Sequence, residues 1–324
     1  MKPVISDIVI KSLQNKYFKA YGGQPNTFEP ACESKLHPFE GGSVHNEVRF
    51  STQWPNSFVD IFYGDTDTEV RPTVIYLHGG GWFMGGRSGG DPLTGPGATK
   101  SIASQNILLV KAGFNVVSID YCLSPQYRFP EQVLQINAGL GWLRQNAGKL
   151  RLNMNKVLIF GGSAGAVLTA MIGCAYSNPE YAKAIRLTPA IPRESICGLC
   201  VDGAPIIAEK FDWGVRTMCR SWIGQHDLFG KNGKLVNVCS YVVLGYPTTF
   251  LTAGNDGCFM EHTKPLAEVI RKTGGEAEEF YPDIAVSHEG HGYLGNWETS
   301  SEAKRGMDAL VAFMHRVTGD SHGN

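Results

Sequence analysis

The sequence has no long hydrophobic run, few cysteines and no excess of charge of either sign. No apolar run approaches the roughly 18 residues of a membrane-spanning helix. Asp7, Lys11 and Lys16 interrupt the start of the chain, where a signal peptide needs its apolar stretch. The 29 Lys and Arg nearly balance the 30 Asp and Glu, so the net charge of −1 gives no general attraction to nucleic acid or anionic lipid. We therefore predict a cytoplasmic protein with no membrane span and no nucleic-acid partner.

Eight cysteines in 324 residues are too few for a disulfide-stapled secreted domain, so we expect free thiols. Cys197 and Cys200 form a CxxC motif, but no second CxxC or CxxH pair follows at zinc spacing. The surrounding segment, SICGLCVDGAP, has the composition of a buried strand. Two core cysteines are therefore favoured over a metal or redox site.

Glycine is the one over-represented residue, at 39 of 324, and its clusters separate short apolar runs. Such runs, each next to a stretch with helical spacing, are typical of a parallel sheet covered on both faces. We predict a single α/β domain with a mostly parallel central sheet and helices on both faces. Strands are predicted at 72–78, 114–121, 156–160, 248–254 and 276–281, an antiparallel hairpin at 44–53 and 57–64, and helices at 130–146, 164–176, 261–273 and 300–317.

Two segments fit this alternation poorly and are candidates for a small helical cap, residues 1–42 and 205–246. The first presents Ile10, Leu13 and Tyr17 on one face of a predicted helix. The second is aromatic but has no clear strands. The alternative for the first segment is that its helix packs on the body of the protein or on a second subunit of a homodimer.

The chain contains two G-x-S-x-G motifs, at 86–90 around Ser88 and at 161–165 around Ser163. This motif marks a sharp turn from a strand into a helix, where only small residues fit beside a nucleophilic serine. An apolar strand directly precedes Ser163 and a helix-forming stretch directly follows it. Ser88 is followed by GGDPLTGPG, which favours a flexible loop. We therefore predict Ser163 as the nucleophile.

A run of glycines, Gly79 to Gly81, follows His78 at the end of a predicted strand. Glycine lets backbone N–H groups approach the oxygen that becomes negatively charged when a serine attacks an ester. A phosphate-binding loop is the alternative, but the GxGxxG and GxxxxGK[ST] patterns are absent.

A serine nucleophile also needs a base and an acid, which in such sheets follow the serine in the order acid, then histidine. Asp256 lies just past the strand at 248–254 and is favoured as the acid over Asp283. His288 and His291 both follow the last strand, and position alone does not separate them.

The motifs HGGGW, GGSAGA, NDG and HGY stand in this order from positions 78, 161, 255 and 291. The arrangement resembles the hormone-sensitive-lipase-like family of α/β-hydrolases over roughly residues 70–315, and DYCLSP at 120–125 is similar to that family's D-Y-R-L-A-P signature. Gly162 stands where many members carry Asp, and Cys122 where they carry Arg. These differences bear on the choice of substrate.

The resemblance implies an α/β-hydrolase fold and a serine carboxylesterase of the type that includes bacterial acetyl esterases. It implies Ser163 as nucleophile, Asp256 as acid, His291 as base, and the N–H groups of Gly79, Gly80 and Ala164 as the oxyanion hole. It favours His291 over His288, because the family's histidine precedes Gly and an aromatic residue. His78 would support its loop.

The sequence thus predicts cleavage of small-molecule, short-chain acyl esters through an acyl-enzyme, with no cofactor or metal. Trp82, Phe83, Trp213 and Trp222 are candidates for the wall of an apolar acyl pocket. An amide, formamide or peptide hydrolase and a carbohydrate acetyl esterase could use the same triad. In another class, the chain could be a non-catalytic binding protein on a hydrolase scaffold.

Overall fold

The computed structural model describes residues 4–65, 71–87, 101–257 and 259–319. Ser88 lies outside the described residues. The strands are β1 (Leu36–Phe39), β2 (Gly42–Arg49), β3 (Phe58–Gly64), β4 (Pro72–Leu77), β5 (Asn115–Ile119), β6 (Asn153–Gly162), β7 (Ile196–Asp202), β8 (Thr249–Thr252) and β9 (Ala277–Phe280). The helices are α1 (Ser6–Tyr21), α2 (Ser101–Lys111), α3 (Glu131–Gln145), α4 (Ala147–Leu150), α5 (Ala164–Ser177), α6 (Pro179–Ala184), α7 (Trp213–Ile223), α8 (Lys231–Val236), α9 (Met260–Lys272) and α10 (Ser301–Thr318).

The described strands form one sheet in the order β1-β2-β3-β5-β4-β6-β7-β8-β9. The pairs that join β1, β2, β3 and β5 are antiparallel, and the pairs from β5 through β4 to β9 are parallel. Strands β4 and β5 are buried along their whole length, as expected for strands covered on both faces. The predicted parallel sheet with a leading hairpin is confirmed.

Helices cover both faces of this sheet and give it two apolar cores. On one face, Leu140 of α3 and Leu168 of α5 pack on the sheet. On the other face, Leu109 of α2 and Leu310 of α10 do so. Helix α10 begins where the Ser300 side chain accepts a hydrogen bond from an N–H group of its first turn. The four predicted helices are confirmed, whereas α2, α4, α6 and the short edge strand β1 were not predicted.

Helix α1 packs against α7 and against the body of the protein. The Asp7 carboxylate accepts hydrogen bonds from Nη2 of Arg128 at 2.6 Å and from Oγ of Ser221 at 2.8 Å. Nε2 of Gln14 donates to the carbonyl oxygens of Phe83 at 2.6 Å and Ser124 at 2.9 Å. Helix α1 therefore contacts the body of the protein, which was the alternative for this segment, and it also contacts the second cap candidate.

Every cysteine within the described ranges is a free thiol, and Cys197 and Cys200 lie in β7, as predicted. The described residues include no group of three or more His, Cys, Asp or Glu side chains that could hold a metal ion. Among the described helices, none combines the length and the apolar character that crossing a bilayer requires.

Candidate active site

Ser163 occupies the sharp turn between β6 and α5. Its φ of 56° and ψ of −118° are strained for a residue with a side chain, at a cost of about 1–3 kcal/mol. A Cβ on Gly161 would collide with the backbone of Gly165, and a Cβ on Gly165 would collide with the carbonyl oxygen of Leu77. The two glycines thus let the turn pack against the end of β4, and Ser163 lines a cavity there.

His291 follows β9, and its Nε2 lies 2.8 Å from Oγ of Ser163, within hydrogen-bond distance. Its ring packs edge-on against Phe259, with 4.9 Å between the ring centroids. Burial lowers the pKa of His291, which favours the neutral ring that can accept a proton. The two side chains have the geometry of a nucleophile and its base.

Asp256 follows β8, the neighbour of β9, so its loop lies beside the loop of His291. The N–H of Asp256 donates to the carbonyl oxygen of Glu289 at 3.1 Å, and a Cβ on Gly254 would collide with the same backbone. The Asp256 carboxylate is 65% exposed and lies 3.8 Å from Nδ1 of His288. In this structure the Asp256 carboxylate therefore lies near His288, while His291 contacts Ser163.

Asp283 and His288, the alternatives to Asp256 and His291, have other surroundings. The Asp283 side chain accepts a hydrogen bond from the N–H of Ala285 at 2.9 Å within its own turn. The His288 side chain is 70% exposed. Of the two candidate histidines, His291 is the one that contacts Ser163.

Gly79, Gly80 and Ala164 line the same cavity as Ser163. A Cβ on Gly79 would approach Cβ of Ser163 to 3.2 Å, and Gly80 has a φ of 107°, which side chains rarely adopt. The N–H groups of these three residues donate to no acceptor among the described residues. They are therefore available to bind a ligand oxygen.

His78 lies buried next to these glycines and stacks on Tyr121, with 4.2 Å between ring centroids and an angle of 6°. Its Nδ1 donates to the carbonyl oxygen of Gly79 at 2.7 Å, and the Tyr121 hydroxyl donates to the His78 carbonyl oxygen at 2.7 Å. Asp120 lies 3.5 Å from Nε2 of His78 and accepts from the N–H of Arg87 at 2.6 Å. These contacts hold the glycine turn in place.

The cavity beside Ser163 has a volume of about 420 Å³. Strand ends of the body and the helices α1 and α7 both contribute to its wall. The residues that line it include Tyr17, Tyr76, Trp82, Met84, Gln105, Phe160, Asp202, Val215, Met218 and Phe259. The cavity is concave and mostly aromatic or aliphatic, as is usual for a small-molecule site.

Comparison with known proteins shows which proteins the chain is similar to. A family model described as BD-FAE matches residues 59–202. Esterase LipC of Mycobacterium tuberculosis is 28% identical over 194 residues, which are 60% of this chain and 43% of that protein. Carboxylesterase NlhH of the same species is 34% identical over 114 residues, 35% of this chain and 32% of that protein. The chain is similar to these two esterases over part of its length. It spans less than half the length of either relative.

Solved structures show the same fold. Esterase B from Lactobacillus rhamnosis superposes with a TM-score of 0.74 at 17% identity, over 98% of this chain and 97% of that chain. The predicted α/β-hydrolase fold is confirmed.

Of the four aromatic residues predicted to wall the pocket, Trp82 lines the cavity and the other three do not. Trp222 stacks on Trp82 at 4.0 Å, and its Nε1 donates to Gln132 at 2.9 Å. Phe83 is buried next to Trp82. Trp213 is 73% exposed at the start of α7, because that helix turns Val215 and Met218 toward the cavity instead. The prediction of Phe83, Trp213 and Trp222 as wall residues was therefore wrong.

The sequence analysis did not assign several wall residues to the site. Tyr17 had a signal, since it lies on the apolar face of a predicted helix in a cap candidate. Asp202 had one too, because a carboxylate that follows directly on an apolar strand stands at the sheet edge where such folds bind ligands. Phe259 and Met84 had no comparable signal, since loop residues have no periodicity to follow.

Proposed function

We propose that the protein is a serine carboxylic-ester hydrolase that cleaves short-chain acyl esters through an acyl-enzyme. The observation that carries this proposal is the 2.8 Å contact between Oγ of Ser163 and Nε2 of His291, on a strained turn beside free backbone N–H groups. The relatives named esterase and carboxylesterase support it.

The proposed reaction begins when Oγ of Ser163 attacks the ester carbonyl carbon while Nε2 of His291 takes the hydroxyl proton. The carbonyl π electrons move to its oxygen, which the N–H groups of Gly79, Gly80 and Ala164 bind. As the C–O bond to the alcohol breaks, His291 returns the proton to the leaving oxygen. A water molecule then attacks the acyl-enzyme with His291 as base, which releases the carboxylic acid and regenerates Ser163.

We propose Asp256 as the acid that orients His291. The support is its place after β8 and the backbone hydrogen bond that ties its loop to Glu289, two residues before His291. The carboxylate is exposed, and in the proposed reaction it accepts a hydrogen bond from Nδ1 of His291. An acid at that position fixes the ring tautomer that leaves Nε2 unprotonated toward Ser163.

We propose that segments 1–42 and 205–246 contribute the cap through α1 and α7. Tyr17 of α1 and Val215 and Met218 of α7 line the cavity, and α1 packs on α7. Apolar side chains that enter a cavity of about 420 Å³ favour a short acyl chain. A cytoplasmic location and a homodimer stay predictions, which fractionation and light scattering would test.

Replacement of the nucleophile tests the proposal. We expect Ser163→Ala to lower the rate of p-nitrophenyl acetate hydrolysis by at least about 10³-fold, with an unchanged circular dichroism spectrum. Ser88→Ala, in the second G-x-S-x-G motif, serves as the matched control and should keep its activity. Full activity of Ser163→Ala would overturn the proposal.

A further inference from the structure

Asp202, the last residue of β7, is a buried carboxylic acid for which the proposed reaction has no use. It is 6% exposed and lines the cavity that also holds Ser163 and His291. Its Oδ1 is fully enclosed without a hydrogen-bond partner, and no residue in the described ranges donates a hydrogen bond to the carboxyl group. Burial raises the pKa of Asp202 to about 7. A buried polar group without a partner is costly, and such a group in a binding cavity needs an explanation.

Tyr76 of β4 lies on the same face of the sheet, next to the nucleophile. Side chains alternate along a strand, and Asp202 is two residues after Cys200, which packs in the same core as Tyr76 and Phe160. In the sheet, Asp202 is paired with Gly162, the residue before Ser163. The Tyr76 hydroxyl lies 3.8 Å from the position of a Cβ on Gly162, and it makes no hydrogen bond to the described residues. An acceptor and a hydroxyl thus reach the same part of the cavity.

Two other roles for Asp202 fit less well. As the acid partner of His291, it would form a hydrogen bond or ion pair with that ring, but the His291 contact in this structure is with Ser163, and burial alone accounts for the lowered pKa of the histidine. As a structural aspartate, it would accept hydrogen bonds from backbone N–H groups or pair with a cation, as Asp7 does with Arg128. Neither kind of partner is present among the described residues.

Resting on the proposed ester hydrolysis, we propose that Asp202 and Tyr76 form a subsite that binds a hydroxyl group of the substrate, so that the protein prefers hydroxylated esters to their deoxy analogues. The substrate hydroxyl donates to the Asp202 carboxyl group and accepts from the Tyr76 phenol. An ammonium group could donate to Asp202 but could not accept from Tyr76. The other side chains nearby, such as Phe160, are apolar. When a deoxy analogue is bound, the Asp202 carboxyl group and the Tyr76 hydroxyl therefore have no hydrogen-bond partner.

The test compares matched substrate pairs on the full chain. In the acyl pair, p-nitrophenyl 3-hydroxybutyrate is compared with p-nitrophenyl butyrate; in the alcohol pair, glyceryl monoacetate is compared with propyl acetate. We expect kcat/KM to be about 10-fold to 100-fold higher for the hydroxylated member of one pair, since its deoxy analogue leaves buried polar groups without partners. Asp202→Ala should bring this ratio close to 1, and Tyr76→Phe should lower it several-fold. Asp308→Ala, an exposed aspartate on α10, is the control that should keep the wild-type ratio.

The outcomes separate this proposal from the proposed function. If p-nitrophenyl acetate is not hydrolysed, ester hydrolysis itself is refuted. If it is hydrolysed but the ratio is near 1 in both pairs, the hydroxyl subsite alone is refuted. A ratio that survives in a folded Asp202→Ala variant, or faster turnover of p-nitrophenyl 3-aminobutyrate than of the hydroxy ester, also overturns the subsite. If Asp202→Ala does not fold, the wild-type ratio and Tyr76→Phe decide.

Discussion

Removal of the Arg87 side chain should destabilise the contacts that hold the glycine turn, Gly79 to Gly81, more than any other single substitution there. It is buried and forms ion pairs with Glu47, Asp60 and Asp120, and its Nε donates to Oδ1 of Asp60 at 3.0 Å. Asp120 in turn lies beside His78, at the start of the glycine turn. An Arg87→Met substitution keeps much of the volume and removes the cation, so the carboxylates lose their shared partner.

The magnitude follows from the cost of leaving buried charges unpaired, about 3–5 kcal/mol when one partner of a buried ion pair is removed. Burial raises the pKa of Asp60 to about 6 and also raises that of Glu47, while Arg87 lowers both. Without Arg87 both folded-state pKa values rise further above their unfolded values. Between the unfolded and the folded pKa values of these two carboxyl groups, the folded state then binds more protons than the unfolded state. The stability of the variant therefore falls as pH rises through that range. We expect the full loss at pH 8 and a smaller loss at pH 5.

Urea unfolding of wild type and Arg87→Met at both pH values measures this loss. Arg49→Met is the matched control, because Arg49 lies over the same Phe58 ring, at 4.9 Å against 5.5 Å for Arg87. The pair of Arg49 with Glu29 is at the surface, at 3.9 Å, and should be worth less than about 1 kcal/mol. A loss for Arg87→Met as small as that of the control, or one that grows toward pH 5, would refute the reasoning.

Three further predictions concern the site. Asp256→Asn should lower kcat about 10⁴-fold, because it disturbs the tautomer of His291. The kcat of the control variant His288→Ala should stay within tenfold of wild type. Equal effects of the two substitutions would reject Asp256 as the acid. Because burial lowers the pKa of His291, the neutral base should persist to lower pH. The midpoint of the acid limb in the pH profile of kcat/KM for p-nitrophenyl acetate should therefore lie below about pH 6.5. A midpoint above that value would contradict this prediction. Gly165→Ala should lose activity and about 1–3 kcal/mol of stability by overpacking. Gly148→Ala is the control and should keep both its activity and its stability, because a Cβ there meets nothing within 4 Å. Melting curves and initial rates of the two variants test this prediction.

Local signals were enough to predict most of the fold and the sharp turn that holds Ser163. The buried strands β4 to β6 contain continuous apolar runs, so their positions followed from composition. Glycine is required at 161 and 165 because a Cβ there would collide with Gly165 and with Leu77, respectively. The order of motifs left His288 and His291 open, and the resemblance of HGY to the family's motif favoured His291. These features depend on residues close in sequence or on a topology that the strand pattern itself predicts.

The pocket wall depends on tertiary packing and was predicted less well. Trp213 and Met218 lie on the same helix, and which of them faces the cavity depends on how α7 packs against α1, which periodicity does not specify. The lack of a partner for Asp202 depends on all its spatial neighbours at once. The position of the exposed Asp256 carboxylate near His288 depends on how two loops pack together, which sequence pattern does not encode.

Covalent labelling tests the central claim most directly. Diethyl p-nitrophenyl phosphate should release one p-nitrophenolate per chain, and mass spectrometry of the digested protein should locate the diethyl phosphoryl group on Ser163. His291→Ala should abolish the rapid release, because the hydroxyl then has no base at 2.8 Å. A phosphoryl group on Ser88 or another residue, or no release from the folded wild-type protein, would contradict the account.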